Sequence, residues 1–220
     1  IGYRPMLWHV MKYYAHYGHK DFILCLGWKA DCIKQYFLNY DECLSNDFVM
    51  RSGKKVDLLH SDIHDWNITF VDTGAQACVG ERLAAVKPFL EGEPMFLANY
   101  ADGLSDVPLP SMIDYALERN LTATFLGVRP SHTFHLVDAE PDGRVRGLDT
   151  LANSGALING GFFVLKHEIF DYMQPGEELV AQPFHRLMDE NALGVYRYDG
   201  FWACMDTFKE RQLLDDQYAS

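Results

Sequence analysis

The amino-acid sequence predicts an α/β fold, a mainly parallel sheet flanked by helices with a smaller antiparallel section. Three observations carry that expectation. The chain opens in helix, strand, helix order, short apolar runs bounded by turn residues recur along it, and Pro141-Asp142-Gly143 separates two short strand-like stretches in its second half.

Taken in order, Leu7, Val10, Met11, Tyr14 and Tyr17 repeat at helical spacing, with Pro5 suited to the first turn and Gly18 to the stop. Phe22-Ile23-Leu24-Cys25-Leu26 reads as a buried strand, and Ile33, Tyr36, Phe37 and Tyr40 mark the face of a second helix. Residues 41–65 are polar and form a surface excursion with room for a short hairpin. Ile68-Thr69-Phe70-Val71 is a strand ending at Asp72-Thr73-Gly74, and Gly80-Glu81-Arg82-Leu83 opens a short helix. Pro94-Met95-Phe96-Leu97-Ala98 is the next strand, followed by a helix through Ile113, Ala116 and Leu117 that stops near Asn120. The β-formers from Thr122 to Val128 predict a central strand. Beyond it lie short strands at 134–137 and 144–148, helices at 168–173 and 183–190, a strand at 195–198 and a closing helix at 207–218. With no internal repeat or low-complexity linker, residues 1–220 are expected to form a single domain of two parts, 1–130 and 131–220.

Composition narrows the function. Hydrophobic residues at 48% and aromatics at 14% suit a packed globule rather than a disordered chain. A formal net charge of -12 opposes a general nucleic-acid or anionic-membrane surface, although one local basic pocket can still hold phosphates. No apolar run reaches bilayer-spanning length, and five cysteines without a CxxC pair are most simply reduced thiols of a cytoplasmic protein. The chain begins at Ile1 just ahead of a helix, which leads to the expectation that a preceding segment is missing.

Two aspartates more than a hundred residues apart carry the chemistry. Asp102, in Asn99-Tyr100-Ala101-Asp102-Gly103, falls just past the carboxyl end of a strand, where open α/β sheets place their ligand crevice. Asp206 closes the run Gly200-Phe201-Trp202-Ala203-Cys204-Met205-Asp206. Two such carboxylates brought together suit Mg²⁺, which binds through one or two acids plus substrate phosphates. An isolated Asp-Gly more often only shapes a turn, and Asn159-Gly160-Gly161 reads equally as a turn entering a strand. His60 and His64 with Asp62 and Asp65 form a weaker metal candidate, because that segment is not helical.

Six segments in order resemble the nucleotidyltransferases that join a nucleoside triphosphate to a sugar 1-phosphate, and among them the glucose-1-phosphate cytidylyltransferases. They are Arg4-Pro5-Met6-Leu7-Trp8-His9-Val10-Met11 with Tyr14 and Gly18, Val71-Asp72-Thr73-Gly74, Gly80 with Arg82-Leu83, Asp102-Gly103-Leu104-Ser105-Asp106, Ile158-Asn159-Gly160-Gly161-Phe162-Phe163-Val164, and Gly200-Phe201-Trp202 through Met205-Asp206-Thr207. The resemblance implies a Rossmann-like nucleotidyltransferase fold, Mg²⁺ held by Asp102 and Asp206, and a nucleotide lying against Gly80, Glu81 and Arg82, with Tyr100 and Asp102 also near it. It places the sugar phosphate at Asn159 and Gly160, with Tyr100 and Trp202 lining the sugar side. The implied partners are CTP and a sugar 1-phosphate such as glucose 1-phosphate, and the implied assembly is a homo-oligomer, for which Tyr36-Phe37 to Tyr40 is a candidate interface that core packing explains equally well.

Three departures stand beside the matches. The family's glycine-rich loop and following lysine would precede Ile1. Its Glu-Lys-Pro segment is replaced within Leu148-Asp149-Thr150-Leu151-Ala152-Asn153-Ser154-Gly155, which holds no lysine, and its Arg-Phe-Gly by Thr133-Phe134-His135. Arg129 or His135 is expected to supply the missing positive charge. Two further readings remain: a catalytically degraded relative that binds nucleotide or nucleotide sugar as a regulatory subunit, and a nucleotidyltransferase for another phosphorylated acceptor. A dinucleotide-binding oxidoreductase ranks far lower, since no GxGxxG follows a strand.

Overall fold

Short apolar runs become strands and the amphipathic runs between them become helices in a computed structural model that describes residues 1–130 and 135–219. The elements are α1 (Met6–His16), β1 (Asp21–Leu26), α2 (Ala30–Leu38), α3 (Glu42–Ser45), β2 (Phe48–Arg51), β3 (Lys55–Leu58), β4 (Asn67–Asp72), α4 (Val79–Val86), β5 (Met95–Asn99), β6 (Gly103–Ser105), α5 (Leu109–Glu118), β7 (Ala123–Val128), β8 (His135–Ala139), β9 (Val145–Thr150), β10 (Ile158–Lys166), α6 (Gln182–Asp189), β11 (Leu193–Tyr198), β12 (Trp202–Cys204) and α7 (Phe208–Ala219). Residues 168–172 of the α-helix expected at 168–173 lie instead in the 3₁₀ segment His167–Tyr172, and Met173 follows it in extended conformation.

The sheet topology shows where the antiparallel contribution sits. A four-stranded sheet runs β11-β7-β10-β5, with β11 parallel to β7 and β10 antiparallel to both of its neighbours, while β1 and β4 pair in parallel as a separate ladder. β10 occupies an interior position because it is apolar on both faces: Phe162, Phe163, Val164 and Leu165 are all essentially buried, as a strand covered on two sides requires. Strands from both halves of the chain therefore share one sheet. Thr133 and Phe134 lie outside the described residues.

Helices cover both faces. On one side Leu83, Val86, Ile169, Phe184 and Leu187 pack against Phe163 and Leu165, and on the other Val10, Tyr14, Leu109, Met112 and Ala116 pack against Leu126, Phe162 and Val164. Ile23 and Cys25 of β1 reach the first core beside Phe96 and Ala98, and Phe22 reaches the second beside Met95 and Leu97, so the β1-β4 ladder shares both cores with the larger sheet. A third cluster, Trp8, Met11, Leu24, Leu26 and Trp66, receives Ile33, Tyr36, Phe37 and Tyr40 from α2 and the residues that follow it. Of the two readings of the aromatic stretch, interface or core, the packing is thus that of core. The polar segment 41–65 is tied to α1 by Arg4, whose Nη2 donates to Asp62 Oδ2 at 2.6 Å while its guanidinium carbon lies 3.9 Å from the Trp8 ring centroid. All five cysteines are free thiols, and no helix among the described residues is long and apolar enough to cross a membrane.

Candidate active site

Register, more than any single residue, assembles the site. β12 pairs antiparallel with β6, Cys204 opposite Gly103, so the residue before β6 and the residues after β12 emerge at the same end of a short two-stranded ladder. Asp102 and Asp206 are those residues, and Met205 N donates to Asp102 O at 2.9 Å. The turn into β6 places Ala101 at φ +66° and is held by Asn99 Oδ1, which accepts from Ala101 N at 2.7 Å. Both carboxylates reach solvent. Partial burial first, and the Asp206 carboxylate second, push the Asp102 pKa above the usual carboxylate range. The two acids predicted to act together are therefore close enough to repel.

Asp206 has a second partner set that sequence reasoning missed. Thr207 caps α7: Glu210 Oε2 accepts from Asp206 N at 2.9 Å, Thr207 N at 2.8 Å and Thr207 Oγ1 at 3.0 Å, and Glu210 N donates to Thr207 Oγ1 at 3.2 Å. The signal was present in the spacing Thr207-x-x-Glu210, a capping box. Cys204, Asp206 and Glu210 also form the one group of three metal-capable side chains among the described residues. Burial, with Glu210 and Asp206 adding to it, pushes the Cys204 thiol up to about 11, and a sulfur donor suits a hard cation such as Mg²⁺ less than a carboxylate does. Of that cluster Asp206 keeps a hard oxygen donor facing Asp102. His60 and His64 join no such group, and their neighbours Asp62 and Asp65 are ion-paired to Arg4 and Lys20.

Next to the aspartates, β10 begins with a bulge. Its register with β7 shifts between Asn159 and Phe163, which accommodates Gly160 and Gly161. Gly161 sits at φ +76°, and a Cβ there would come within 3.0 Å of the Tyr100 ring. Three bonds lock the bulge: Gly161 N to Asn159 Oδ1 at 2.9 Å, Tyr100 N to Gly161 O at 3.0 Å, and Trp202 Nε1 to Gly160 O at 2.8 Å. Asn159 Nδ2 points to the Tyr100 hydroxyl at 3.4 Å. Burial, followed by the Glu178 and Asp102 charges, raises Tyr100 to about 12, so it stays a neutral donor. Tyr100, Asp102, Asn159, Gly160, Trp202 and Asp206 are thus brought together; the indole N–H of Trp202 is already committed to the backbone.

Gly80, Glu81 and Arg82 stand at the first turn of α4. A Cβ on Gly80 would overlap the Glu177 carbonyl oxygen, so glycine is required there by the 177–179 segment of the chain itself. Glu81 Oε2 accepts from Cys78 N at 2.9 Å and closes the cap of α4. Arg82 extends over the carboxyl ends of β1 and β4, donating to Thr73 Oγ1 at 2.9 Å and lying so close to Gly27 that a Cβ there would meet its Nη1 at 2.6 Å. Among the described residues it forms no ion pair, which leaves a half-buried cation at the mouth of the crevice. Glu178, absent from the sequence-derived set, links α4 to this region through Val79 N, donated at 3.2 Å.

An α/β sheet with paired aspartates, a glycine bulge and a cation at its strand ends suits handling of phosphates, and solved structures superpose on it over almost the whole chain. HddC from Yersinia pseudotuberculosis aligns over 98% of this chain and 86% of its own with a TM-score of 0.66 at 14% identity. UTP-bound UGPase from Acinetobacter baumannii aligns over 98% of this chain and 82% of its own with a TM-score of 0.68 at 16% identity. The fold is that of a nucleotidyltransferase. No family model matches the chain. The glucose-1-phosphate cytidylyltransferases of Salmonella typhi and Salmonella typhimurium are each 34% identical to it over 217 residues, 98% of this chain and 84% of theirs. The chain belongs to the glucose-1-phosphate cytidylyltransferase family of nucleotidyltransferase enzymes.

Proposed function

We propose that this protein transfers a cytidylyl group from CTP to glucose 1-phosphate in a Mg²⁺-dependent reaction, releasing pyrophosphate. The observation that carries the reading is the β6-β12 register, which brings Asp102 and Asp206 to one end of a ladder beside the Asn159-Gly160-Gly161 bulge. Two oxygen donors that repel one another fit a hard divalent cation better than they fit any side chain nearby. Bound there, Mg²⁺ would neutralise charge on the transferring phosphoryl group.

The remaining work falls to the chain's own residues. A phosphate oxygen of the sugar 1-phosphate attacks the α-phosphorus of the nucleotide in line; the new P–O bond forms as the bond to pyrophosphate breaks. Asn159 and the bulge backbone hold the acceptor phosphate, Tyr100 donates from the sugar side, and Arg82 offers its guanidinium to the nucleotide phosphates. Such alignment supplies about 7 kcal/mol or more of barrier lowering without a covalent intermediate. Trp202 serves the sugar side through the backbone it braces. With no lysine at 148–155, the acceptor phosphate takes its positive charge from Arg129, which follows the end of β7 where Val128 pairs with Ile158 and is held by Asp199 Oδ1 at 2.8 Å. His135, opposite Thr150 across the β8-β9 hairpin, is the alternative source.

The test is pyrophosphate release by the full-length protein with Mg²⁺, with CTP, UTP, dTTP and ATP each paired with a panel of sugar 1-phosphates and Asp102→Ala as control. Release with CTP and glucose 1-phosphate alone, lost in Asp102→Ala, is the expected result. Another productive pair corrects the substrates. Saturable nucleotide binding with no release from any pair favours the second reading, a regulatory relative, for which the missing lysine is the supporting observation. Unchanged kinetics in Arg129→Ala would remove that residue from the acceptor site.

A further inference from the structure

Glu178 is a carboxylate that neither the core nor the catalytic reading uses. The cap of α4 is already closed by Glu81, whose Oε2 accepts from Cys78 N. The 177–179 segment is already seated as well: Glu177 Oε2 accepts from Arg186 Nη1 at 2.7 Å and from Gln174 N at 3.0 Å, the Cys78 thiol donates to Glu177 O at 3.1 Å, and Leu179 is buried beside Leu83 and Val86. Glu178 is half-buried all the same, held by backbone N–H groups rather than by a cation: Oε2 accepts from Val79 N at 3.2 Å and Oε1 from Leu179 N at 3.0 Å. Taking a carboxylate part-way out of water without a counter-charge is unfavourable, and the positive end of α4 offsets only some of that cost.

Its position connects the two substrate sides. Val79 begins α4 and Arg82 stands three residues on, so the bond to Val79 N holds the turn that carries the guanidinium. That guanidinium reaches Thr73 Oγ1 at 2.9 Å, over the strand ends. In the other direction the Glu178 charge acts on the Tyr100 hydroxyl, which lies 3.4 Å from Asn159 Nδ2. Arg186 makes the segment a firm support, because it grips Glu177 and also donates to Tyr172 O at 2.6 Å. We propose that Glu178 is a positioning residue that couples the two substrates, holding the α4 turn that presents Arg82 to the nucleotide in register with the Tyr100 and Asn159 side that receives the sugar phosphate. Resting on the roles proposed above for Arg82, Tyr100 and Asn159, this coupling makes each substrate bind more tightly when the other is present, and by the same factor, since coupling between sites is reciprocal.

Calorimetric titration of the full-length protein tests the coupling, with Mg²⁺ and the α,β-methylene analogue of CTP, whose scissile bond does not break. In the wild type, saturating glucose 1-phosphate should tighten the analogue about tenfold. Glu178→Ala should bring that ratio to about one while keeping its circular dichroism, and Glu178→Gln, which retains one oxygen acceptor, should fall between them. Asp41→Ala, which removes the acceptor of Cys43 N at the start of α3, controls for lost stability and should keep the wild-type ratio. A wild type that binds both ligands independently, or a Glu178→Ala variant with the wild-type ratio, would overturn the coupling and leave the proposed transfer reaction intact. Acceptor affinity that drops in Glu178→Ala without nucleotide, at an unchanged ratio, would make Glu178 a direct sugar contact and also end the proposal. A wild type that binds no analogue would overturn the proposed reaction, and the coupling with it.

Discussion

Replacing Asp102 by asparagine separates the cost of the aspartate pair from its use. The amide keeps the shape of the turn at Ala101 and removes one of two neighbouring negative charges. Because burial and Asp206 raise the folded-state pKa of Asp102, its contribution to stability is present when both states are protonated and is lost as pH rises through that raised value. At neutral pH the wild type therefore carries a repulsion that the variant lacks. The carboxyl groups are open to solvent, so the effect is screened to about 0.5 kcal/mol. For a chain of 220 residues this corresponds to about 1–2 °C in the melting midpoint. Thermal melts at low ionic strength with a chelator present should show Asp102→Asn above wild type at pH 7 and equal to it near pH 3. Added Mg²⁺ should raise the wild type more than the variant, and pyrophosphate release by the variant should disappear. A variant that melts lower than wild type at pH 7 without divalent cations, or that keeps wild-type turnover, refutes the reasoning.

Other substitutions report on the supports of the site. Asp62→Asn should cost about 2 kcal/mol at pH 7, since it leaves the partly buried Arg4 uncompensated. Burial pushes Asp62 up, but the Tyr40 hydroxyl, Arg4 and Lys12 together hold it below the usual range, so this stability is present at neutral pH and lost as pH falls through the lowered value; urea titrations of both proteins should converge in acid. Gly80→Ala should destabilise by about 3 kcal/mol, because its Cβ meets the Glu177 carbonyl rather than a yielding side chain, and chemical denaturation should show it with or without nucleotide. Trp202→Phe leaves Gly160 O without its donor, at a cost of about 1–2 kcal/mol; kcat should fall more than the acceptor KM rises, and a raised KM with kcat unchanged would instead make Trp202 a direct sugar contact.

Much of this was legible before any coordinates. The helix through Leu7, Val10, Met11 and Tyr14, the strand ending before Asp102 and the central strand at 123–128 follow from periodicities spanning a few residues. The ordered motifs sufficed to place the chain in its family. The place of Ile158–Lys166 was not legible: an Asn-Gly-Gly turn signal ahead of an apolar run says nothing of which strands flank it, and the structure inserts it antiparallel between β5 and β7. Local order depends on side-chain spacing along a few turns of chain, and so the sequence by itself determined most of the longer elements and the family, and singled out the two aspartates as candidates. Only tertiary structure decided that Asp102 and Asp206 lie side by side, that Gly80 yields to Glu177, and that the Trp202 indole is committed to Gly160, because partners about forty to a hundred residues apart meet through strand register and core packing, which no local window contains.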